Sequence, residues 1–238
     1  MDRSRILNVS PLSDLGGRPI LCYVTDRRLL GGAAAGDARD RLLHKMEAAA
    51  LAGVDWIQIR EKDLSGRECM LLTRQALTRT EQSSKSRAKR TRILVNDRVD
   101  VALSEHTGGV HLGENSLPVQ EVRRSVDSRG ERKDFLVGVS CHSLEVAKSA
   151  ASGGANYIFF GPVFATPSKA AYGAPQGIER LKEVCRAVSI PVIAIGGITL
   201  ANGAACLSAG ASGLAGIRLF QDAPDIPSCV QALKNLRP

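Results

Sequence analysis

The chain has 238 residues, of which 44% are hydrophobic and 24% charged, and these shares argue against a disordered or fibrous protein. Lys and Arg number 32 against 24 Asp and Glu, and the net charge of +8 favours anionic partners: nucleic acid, a membrane surface or phosphorylated small molecules. Only 4% of the residues are aromatic, which disfavours a protein that stacks the bases of single-stranded nucleic acid.

The sequence gives no support for membrane insertion or secretion. No apolar run reaches the ~18–20 residues of a membrane span. The polar segment Met1–Pro19 lacks the apolar stretch of a signal peptide, so we expect a flexible or loosely packed extension. Six cysteines show neither CxxC nor zinc-finger spacing, and we expect small, mostly buried side chains in a reducing cytoplasm. They are Cys22, Cys69, Cys141, Cys185, Cys206 and Cys229.

From Ile20 onward, short apolar runs rich in Val and Ile alternate with helix-like stretches such as Asp40–Ala52 and Leu144–Ser152. Several runs are apolar throughout, which is typical of strands buried on both faces. The predicted strands are Ile20–Thr25, Trp56–Arg60, Ile93–Asn96, Gly109–Leu112, Leu136–Ser140, Tyr157–Phe160, Val192–Ile195 and Gly213–Ile217. The predicted helix N-caps are Asp37, Ser65, Ser143 and Thr199.

Eight strand–helix units in this length predict a single (β/α)8 barrel over residues 20–238, after an extension of residues 1–19. A doubly wound open sheet is the structural alternative. One segment, Lys85–Arg92, interrupts the alternation because it is polar and strongly basic. We interpret it as a solvated loop rather than a nucleic-acid-binding patch, since it directly precedes a predicted strand.

Catalytic groups of such barrels lie at the carboxyl ends of the strands, so the residues there are the candidate site. The second strand ends in Gln58, Ile59, Arg60, Glu61 and Lys62. Strand alternation puts Gln58 and Arg60 on one face, where Arg would bind oxygen atoms bidentately while Lys62 supplies a mobile charge. We expect this end to bind an anion. The alternative is a surface ion pair, in which Glu61 would pair with either cation.

The third and fourth strands bring carboxylates to the same opening. Asp97 follows the third strand, and one carboxylate is enough to begin a Mg²⁺ site because phosphate oxygens supply further ligands. Helix capping is the alternative role for Asp97. Glu114 and Ser116 follow the fourth strand and reach the same opening. His111 lies within an apolar run, which predicts a core histidine rather than a ligand.

The fifth strand ends in Ser140, Cys141 and His142. Neighbouring strand residues point to opposite faces, so Cys141 and His142 are poorly placed for a thiol mechanism. Either Ser140 or His142 is a better polar site group. After the sixth strand, the segment Thr166–Lys169 carries two hydroxyls and a Lys suited to phosphate oxygens, in a loop that has the composition of a lid. An inert surface loop is the alternative.

Backbone amides dominate the ends of the last two strands. Gly196 and Gly197 precede a helix, and Arg218 follows the eighth strand, so this side predicts a phosphate cradle. There is no Lys within a strand for a Schiff base and no cluster of His residues, which disfavours aldolase and metal-hydrolase chemistry. Two anion sites of this kind favour electrostatic stabilisation of a departing charged group.

These residues together resemble the thiamine-phosphate synthases, and the similarity runs in order from about Ile20 to Phe220. The matching segments are Gln58–Lys62, Asn96-Asp97, His111–Gly113, Val139-Ser140, Thr166–Lys169 and Ile195–Thr199. The resemblance implies a barrel that joins a hydroxymethylpyrimidine diphosphate to a thiazole phosphate and needs Mg²⁺. It implies a dissociative mechanism, in which pyrophosphate leaves first and the thiazole nitrogen captures the pyrimidine-methyl cation.

The resemblance also implies roles for individual residues. Arg60, Ser140 and Lys169 would be catalytic, and Asp97 would bind Mg²⁺, with Glu114 or Ser116 as candidates for a second ligand. The pyrimidine diphosphate would be bound by Gln58, Ile59, Arg60, Glu61, Lys62, Asn96, Ser140 and Lys169. The thiazole phosphate would be bound by Thr166, Pro167, Ser168, Gly197, Ile217 and Arg218.

Two positions depart from the family pattern. Ser116 stands where a second Asp ligand is usual, and Arg218 replaces a residue that is usually Ser. The first departure makes the chain similar to a sister family as well, the metal-free thiazole tautomerases, for which His142 would be the catalytic residue. A phosphate binder without activity is a further alternative. We expect small phosphorylated substrates, with neither nucleic acid nor a membrane as partner, and a homo-oligomer is compatible with the sequence.

Overall fold

The structure is a computed structural model of the chain and describes residues 18–31, 35–83, 90–128, 134–166 and 174–238. Most of the predicted extension and of the basic segment Lys85–Arg92 therefore lies outside the described residues. The strands are β1 Ile20–Val24, β2 Trp56–Ile59, β3 Arg92–Asn96, β4 Gly109–Leu112, β5 Leu136–Cys141, β6 Tyr157–Phe160, β7 Val192–Ile195 and β8 Gly213–Gly216. The α-helices are α1 Ala35–Ala52, α2 Gly66–Ser83, α3 Val99–Ser104, α4 Val119–Ser128, α5 Leu144–Ser152, α6 Gly177–Ala187, α7 Gly203–Ser208, α8 Arg218–Gln221 and α9 Ile226–Lys234.

The eight strands form one closed parallel barrel in sequence order. Closure comes from β8, which pairs with β1 in the register Ile20 with Gly213 and Cys22 with Ala215. The predicted (β/α)8 barrel is confirmed, and the open sheet is excluded. Parallel neighbours need a crossover, and the helices supply it while covering the outer face of each apolar strand.

Strand residues alternate between two separate hydrophobic layers. On β2, Ile57 and Ile59 face the helices, whereas Trp56 belongs to the interior of the barrel. Alternation extends that inward face to Gln58 and Arg60, at the carboxyl end of the strand. The predicted common face of Gln58 and Arg60 therefore opens into the barrel.

Aromatic rings fill the barrel beneath the carboxyl ends of the strands. The ring of Tyr157 lies 4.6 Å from that of Trp56 and 5.5 Å from that of Phe159, between centroids. A Cβ atom on Gly138 would lie 2.0 Å from Cζ of Tyr157, so only glycine leaves room for this ring on β5. The result is a packed floor rather than a pore.

Two of the four predicted N-caps begin helices. Ser65 bonds to the backbone N–H of Glu68 while the Glu68 carboxylate accepts from the Ser65 N–H, which is a capping box. Ser143 accepts from the Val146 N–H at the start of α5. The other two predictions are wrong. Asp37 lies within α1, and Thr199 exchanges hydrogen bonds with Asn202 in the turn before α7.

All six cysteines are free, and five are buried, while Cys185 is half-buried. Their predicted role as small interior residues is confirmed for those five. None of the helices in the described ranges combines the length and apolar character that crossing a membrane requires.

Candidate active site

A continuous hydrogen-bonded chain of side chains joins the ends of β2, β3 and β4. The Gln58 Nε2 atom donates to Asn96 Oδ1 at 2.9 Å, and Asn96 Nδ2 donates to Asp97 Oδ2 at 2.7 Å. Gln58 is 2% exposed, and its Oε1 atom is buried without a hydrogen-bond partner in the described structure. An unpaired buried acceptor is costly, and Gln58 Oε1 therefore has a lone pair free to accept a hydrogen bond from a ligand.

The second Asp97 oxygen is held from β4. Asp97 Oδ1 accepts from the Gly113 N–H at 3.0 Å and from the Ser116 hydroxyl. The backbone of Asp97 has φ +61°, in the left-handed region, and its side chain is exposed at the barrel mouth. We call Gln58, Arg60, Asn96, Asp97 and Ser116 the carboxylate half of the mouth.

Ser116, and not Glu114, is the residue that meets Asp97. Glu114 is exposed, and within the described residues it makes no hydrogen bond to Asp97. Glu114 acts instead on the neighbouring strand, where its charge adds to burial in raising the pKa of the Cys141 thiol to about 12. Glu114 and Ser116 both follow Gly113 in the same turn, but this turn directs only Ser116 at Asp97.

The oxygen donors around Asp97 suit a hard divalent cation. Mg²⁺ prefers oxygen ligands and is often bound through one or two carboxylates, with the remaining ligands from water and substrate phosphate. One carboxylate and one hydroxyl oxygen converge, in Asp97 and Ser116, and the Asn96 and Gly113 N–H groups fix the orientation of the carboxylate. The described residues contain no cluster of three or more His, Cys, Asp or Glu, so a metal here would depend on the substrate for its other ligands.

Arg60 and Lys62 supply positive charge beside this carboxylate. The Arg60 N–H donates to Thr25 Oγ1 at 2.9 Å, which fixes the backbone at the end of β2. Neither the Arg60 guanidinium nor the exposed Lys62 ammonium has an ion-pair partner in the described ranges. Both cations are therefore available to an anionic ligand.

Glu61 does not pair with either of these cations. Its carboxylate is buried, accepts from Thr25 Oγ1 at 2.6 Å and from Arg27 Nη1 at 3.0 Å, and also accepts from the Arg27 N–H. The alternative in which Glu61 pairs with Arg60 or Lys62 is wrong, because the chain turns Glu61 towards β1. The Ile59 side chain faces the helices, so only its backbone reaches the mouth.

His111 connects the aromatic floor to the mouth. It is 1% exposed, with Nδ1 3.0 Å from the Tyr157 hydroxyl and Nε2 2.9 Å from Ser140 Oγ. Burial lowers the pKa of His111 to about 3, with a smaller opposing effect from the Asp97 charge. The predicted core histidine is confirmed, and it also holds Ser140.

Cys141 and His142 are not a nucleophile pair. Cys141 is fully buried against the helix layer, where its raised pKa keeps it a neutral thiol. His142 is half-buried, and its Nδ1 atom contacts the Gly161 carbonyl oxygen at the end of β6. The expectation that the thiol is not reactive agrees with this geometry.

Glycines allow the β6 loop to pack onto the end of β7. A Cβ atom on Gly196 would lie 2.5 Å from Pro162 Cα, and one on Gly197 would lie 2.6 Å from the Ala165 carbonyl oxygen. Both glycines have positive φ, +93° and +67°. Thr166 is half-buried at the end of this loop, whereas Pro167, Ser168 and Lys169 lie outside the described residues.

Backbone donors define the opposite side of the mouth. In the described part of the chain, the N–H groups of Gly197, Arg218 and Leu219 donate to no protein acceptor. Ile217 packs against the barrel interior and orients this turn. We call Gly196, Gly197, Ile217 and Arg218 the glycine half of the mouth.

The Arg218 side chain has an ion-pair partner close to it in the sequence. It is exposed, and its Nη1 atom lies 3.6 Å from Asp222 Oδ2, one turn along α8. The i,i+4 partner attracts the guanidinium, and the role of Arg218 in binding a phosphate stays a prediction.

The sequence reasoning missed three residues that shape the mouth. Thr25 links Glu61 to the Arg60 backbone, Tyr157 supports His111, and Asn202 Nδ2 donates to the Gly197 carbonyl at 2.9 Å. Alternation along β6 could have placed Tyr157 inside the barrel. No local signal indicates Thr25 or Asn202, because their partners are distant in sequence or lie in a turn.

The fold defines a TIM-barrel protein, with cationic side chains and free backbone N–H groups at the carboxyl ends of its strands. The sequence model of the thiamine monophosphate synthase family matches residues 21–220, which is most of the chain. The chain therefore belongs to the thiamine monophosphate synthase family.

Individual relatives agree with this assignment. The chain is 39% identical to a thiamine-phosphate synthase of Roseiflexus castenholzii over 98% of its own length and 94% of the relative. It is 42% identical to a thiamine-phosphate synthase of Methanocella arvoryzae over 79% and 84% of the two chains. A thiamine phosphate pyrophosphorylase from Pyrococcus furiosus superposes with a TM-score of 0.75 at 29% identity, over 92% of this chain and 96% of that one.

Proposed function

We propose that the protein is a thiamine-phosphate synthase. It would join 4-amino-2-methyl-5-hydroxymethylpyrimidine diphosphate to thiazole phosphate and release thiamine phosphate and pyrophosphate. The observation that carries the proposal is the hydrogen-bonded chain from Gln58 through Asn96 to Asp97, beside the two available cations Arg60 and Lys62. This arrangement suits a ligand with a polar ring and a diphosphate.

The carboxylate half would bind the pyrimidine diphosphate. The unpaired Gln58 Oε1 atom accepts a hydrogen bond from the amino group of the pyrimidine. Arg60 and Lys62 neutralise the diphosphate, and Lys169 would add a third charge from the β6 loop. Ser140, held by His111, contacts the pyrimidine from the floor of the site.

Asp97 and Ser116 would hold Mg²⁺. When bound, the ion supplies positive charge that stabilises the leaving diphosphate. Asn96 and Gly113 keep the Asp97 carboxylate in place through two N–H donors, so the metal-binding oxygens are oriented before the ion arrives.

The chemistry needs a stabilised leaving group rather than a protein nucleophile. The bond between the pyrimidine methylene carbon and the diphosphate oxygen breaks, and the electron pair leaves with pyrophosphate. The lone pair of the thiazole nitrogen then forms the new C–N bond to the methylene carbon. Arg60 and Lys62 stabilise the charge that develops on pyrophosphate, and the fixed positions of the two substrates supply the orientation.

The glycine half would bind the thiazole phosphate. The N–H groups of Gly197, Arg218 and Leu219 follow the neighbouring strands β7 and β8 and have no protein acceptor in the described structure, and free backbone donors are suited to a phosphate monoester. The family resemblance assigns Thr166, Pro167 and Ser168 to the same phosphate. The two substrates then meet above Ser140, at the centre of the mouth.

Pyrophosphate release by the purified full-length protein tests the proposal. We expect release only when both substrates and Mg²⁺ are present, and its absence with every divalent metal tried would refute the proposal. Asp97→Asn should abolish the metal-dependent rate. Asp100→Asn is the matched control and should leave the rate unchanged, because Asp100, on α3, pairs with Arg98 just before that helix.

The same purified protein also tests the two alternatives, a thiazole tautomerase and a phosphate binder without activity. A thiazole tautomerase would convert the thiazole carboxylate phosphate tautomer in EDTA, and His142→Ala would abolish that turnover. The contact of His142 Nδ1 with the Gly161 carbonyl fixes the ring in a way that suits this role too. Tight binding of thiazole phosphate without turnover of either kind would indicate a phosphate binder without activity.

We also propose a cytoplasmic location and no nucleic-acid partner. Six free cysteines agree with a reducing compartment. Binding to duplex DNA at low salt tests whether nucleic acid is a partner. Neutralising Lys85–Arg92 should not change this binding, whereas a salt-dependent interaction that is lost in the neutralised variant would identify a nucleic-acid patch.

A further inference from the structure

Three polar side chains form a line from the barrel interior to the mouth. The Tyr157 hydroxyl lies 3.0 Å from His111 Nδ1, and His111 Nε2 lies 2.9 Å from Ser140 Oγ. Tyr157 is 0% exposed and His111 is 1% exposed, whereas Ser140 is half-buried. The line therefore begins in the fully buried interior and ends where a substrate can be reached.

The proton positions along this line follow from the partners available. Tyr157 is beneath the mouth, enclosed by Trp56, Phe159 and the glycine position 138, and its hydroxyl has no other acceptor in the described structure. A buried O–H without an acceptor is costly, so the Tyr157 proton points to His111 Nδ1. A neutral imidazole carries one proton, and that proton must then lie on Nε2 and point to Ser140 Oγ.

We propose that Tyr157 and His111 are positioning residues that make Ser140 a hydrogen-bond donor to the substrate. Because Ser140 Oγ accepts from His111, its own proton is directed away from His111 and into the mouth. It would meet an acceptor on the pyrimidine diphosphate, either a ring nitrogen or a phosphate oxygen. The identity of that substrate rests on the proposed function, but the proton positions do not.

The same proton positions exclude Ser140 as a nucleophile activated by His111. A Ser–His distance of 2.9 Å resembles the pair in which a histidine removes the proton of a serine nucleophile. That role requires a lone pair on Nε2, and the Tyr157 hydroxyl forces a proton there instead. Ser140 therefore contributes a fixed donor, which agrees with a reaction whose covalent steps all occur between the two substrates.

The first test reads the tautomer directly, without turnover. In the full-length protein labelled with ¹⁵N-histidine, the nitrogen shifts of the imidazole rings report which nitrogen carries the proton, and the His111→Gln variant assigns the His111 signals. At neutral pH we expect a neutral ring with the proton on Nε2. A proton on Nδ1 would overturn the proposal whether or not the protein turns over its substrates.

The Tyr157→Phe variant sharpens this result. It keeps the ring in the space above Gly138 but removes the hydroxyl, so the proton is no longer forced onto Nε2. We expect the His111 signals to move towards a mixture of tautomers. Tyr23→Phe is the matched control, because Tyr23 is equally buried but faces the helix layer beside Phe220. It should leave the His111 signals unchanged, and an equal shift in both variants would contradict the proposal.

A double-mutant cycle tests whether Tyr157 acts through Ser140 during turnover. Loss of one aligned hydrogen bond predicts that Tyr157→Phe lowers kcat about three- to tenfold. In the Ser140→Ala background the same change should have no further effect, since its target is gone. Equal losses in both backgrounds would show a purely structural role. If the wild-type protein releases no pyrophosphate, the proposed function fails, and the tautomer measurement alone decides the proton positions.

Discussion

The two halves of the barrel mouth differ in their polar groups, which are side chains in one half and backbone N–H groups in the other. In the carboxylate half, side chains from three strands bond to one another, from Gln58 to Asn96 to Asp97. In the glycine half, the donors are backbone N–H groups, and the decisive feature is the lack of side chains at Gly196 and Gly197. Both arrangements suit an anion, but they should respond differently to mutation.

The difference shows how one scaffold can bind two phosphorylated groups of unlike shape. Cationic side chains adapt to a flexible diphosphate, and a nearby carboxylate can recruit a metal for it. Backbone donors are fixed, and they match a compact monoester without any charged residue. We expect a side-chain substitution to damage the first half selectively, and a glycine substitution to damage the second.

Among the substitutions that compare the two halves, Arg60→Met should have the largest effect on catalysis. Removal of a charged donor from a site where negative charge develops should lower the rate of pyrophosphate release about 10²-fold. The Michaelis constant for thiazole phosphate should change little, because that substrate binds in the other half. Arg74→Met serves as the control, since Arg74 pairs with Glu105 on the outer helices. A rate within twofold of wild type would mean that Arg60 does not contact the diphosphate.

Gly197→Ala should impair the binding of thiazole phosphate and not that of the pyrimidine diphosphate. Its added Cβ would lie 2.6 Å from the Ala165 carbonyl oxygen, at a backbone φ of +67°, so the loop must move. We expect an increase of about tenfold in the Michaelis constant for thiazole phosphate, and a lower Tm from strain of about 1–3 kcal/mol. The pyrimidine diphosphate constant should not change.

The control for this variant is Gly154→Ala, at the turn between α5 and β6. Gly154 has φ +94°, but an added Cβ would have only an ordinary contact of 3.6 Å with Arg123. Its Tm should fall while both Michaelis constants stay the same. Equal kinetic effects of the two alanines would show that backbone strain, and not the phosphate cradle, causes the change.

Ser116→Asp should strengthen the binding of Mg²⁺ in the carboxylate half. A second carboxylate beside Asp97 should lower the Mg²⁺ concentration for half-maximal rate roughly three- to tenfold. In EDTA the two like charges should lower Tm, and added Mg²⁺ should restore it. Ser104→Asp adds the same charge on α3, away from Asp97, and should show neither effect. A metal dependence identical to that of wild type would place the ion elsewhere.

The last prediction concerns the pH dependence of stability rather than catalysis. Burial lowers the pKa of His111 to about 3, so between about pH 6.5 and pH 3 the unfolded chain binds a proton that the folded chain excludes. Stability should therefore be complete above about pH 6.5 and fall as the pH drops towards 3. Denaturant unfolding of wild type and His111→Gln measures this slope, which should be shallower in the variant. His44→Gln, at an exposed position on α1, should retain the wild-type slope.

Much of the mouth was predictable because strand alternation is a local rule. The pairing of Gln58 and Arg60 on one face, and the placement of Asp97 at the end of β3, follow directly from it. The sequence left open which partner a side chain with several reachable partners would contact. Glu61 turns to Arg27, Arg218 turns to Asp222, and Ser116 rather than Glu114 meets Asp97. Each choice depends on which partner the folded chain brings nearest.

The sequence by itself determined the repeat of strand and helix, the closed barrel it implies, and the strand ends where polar residues collect. Those features depend on hydrophobic periodicity and residue type, which are written in neighbouring positions. Only the tertiary structure decided that Tyr157 supports His111 and that His111 holds Ser140, residues 46 and 29 positions apart. Such contacts arise from barrel closure, because closure brings inward-facing side chains from separate strands into one small space where every buried polar atom needs a partner.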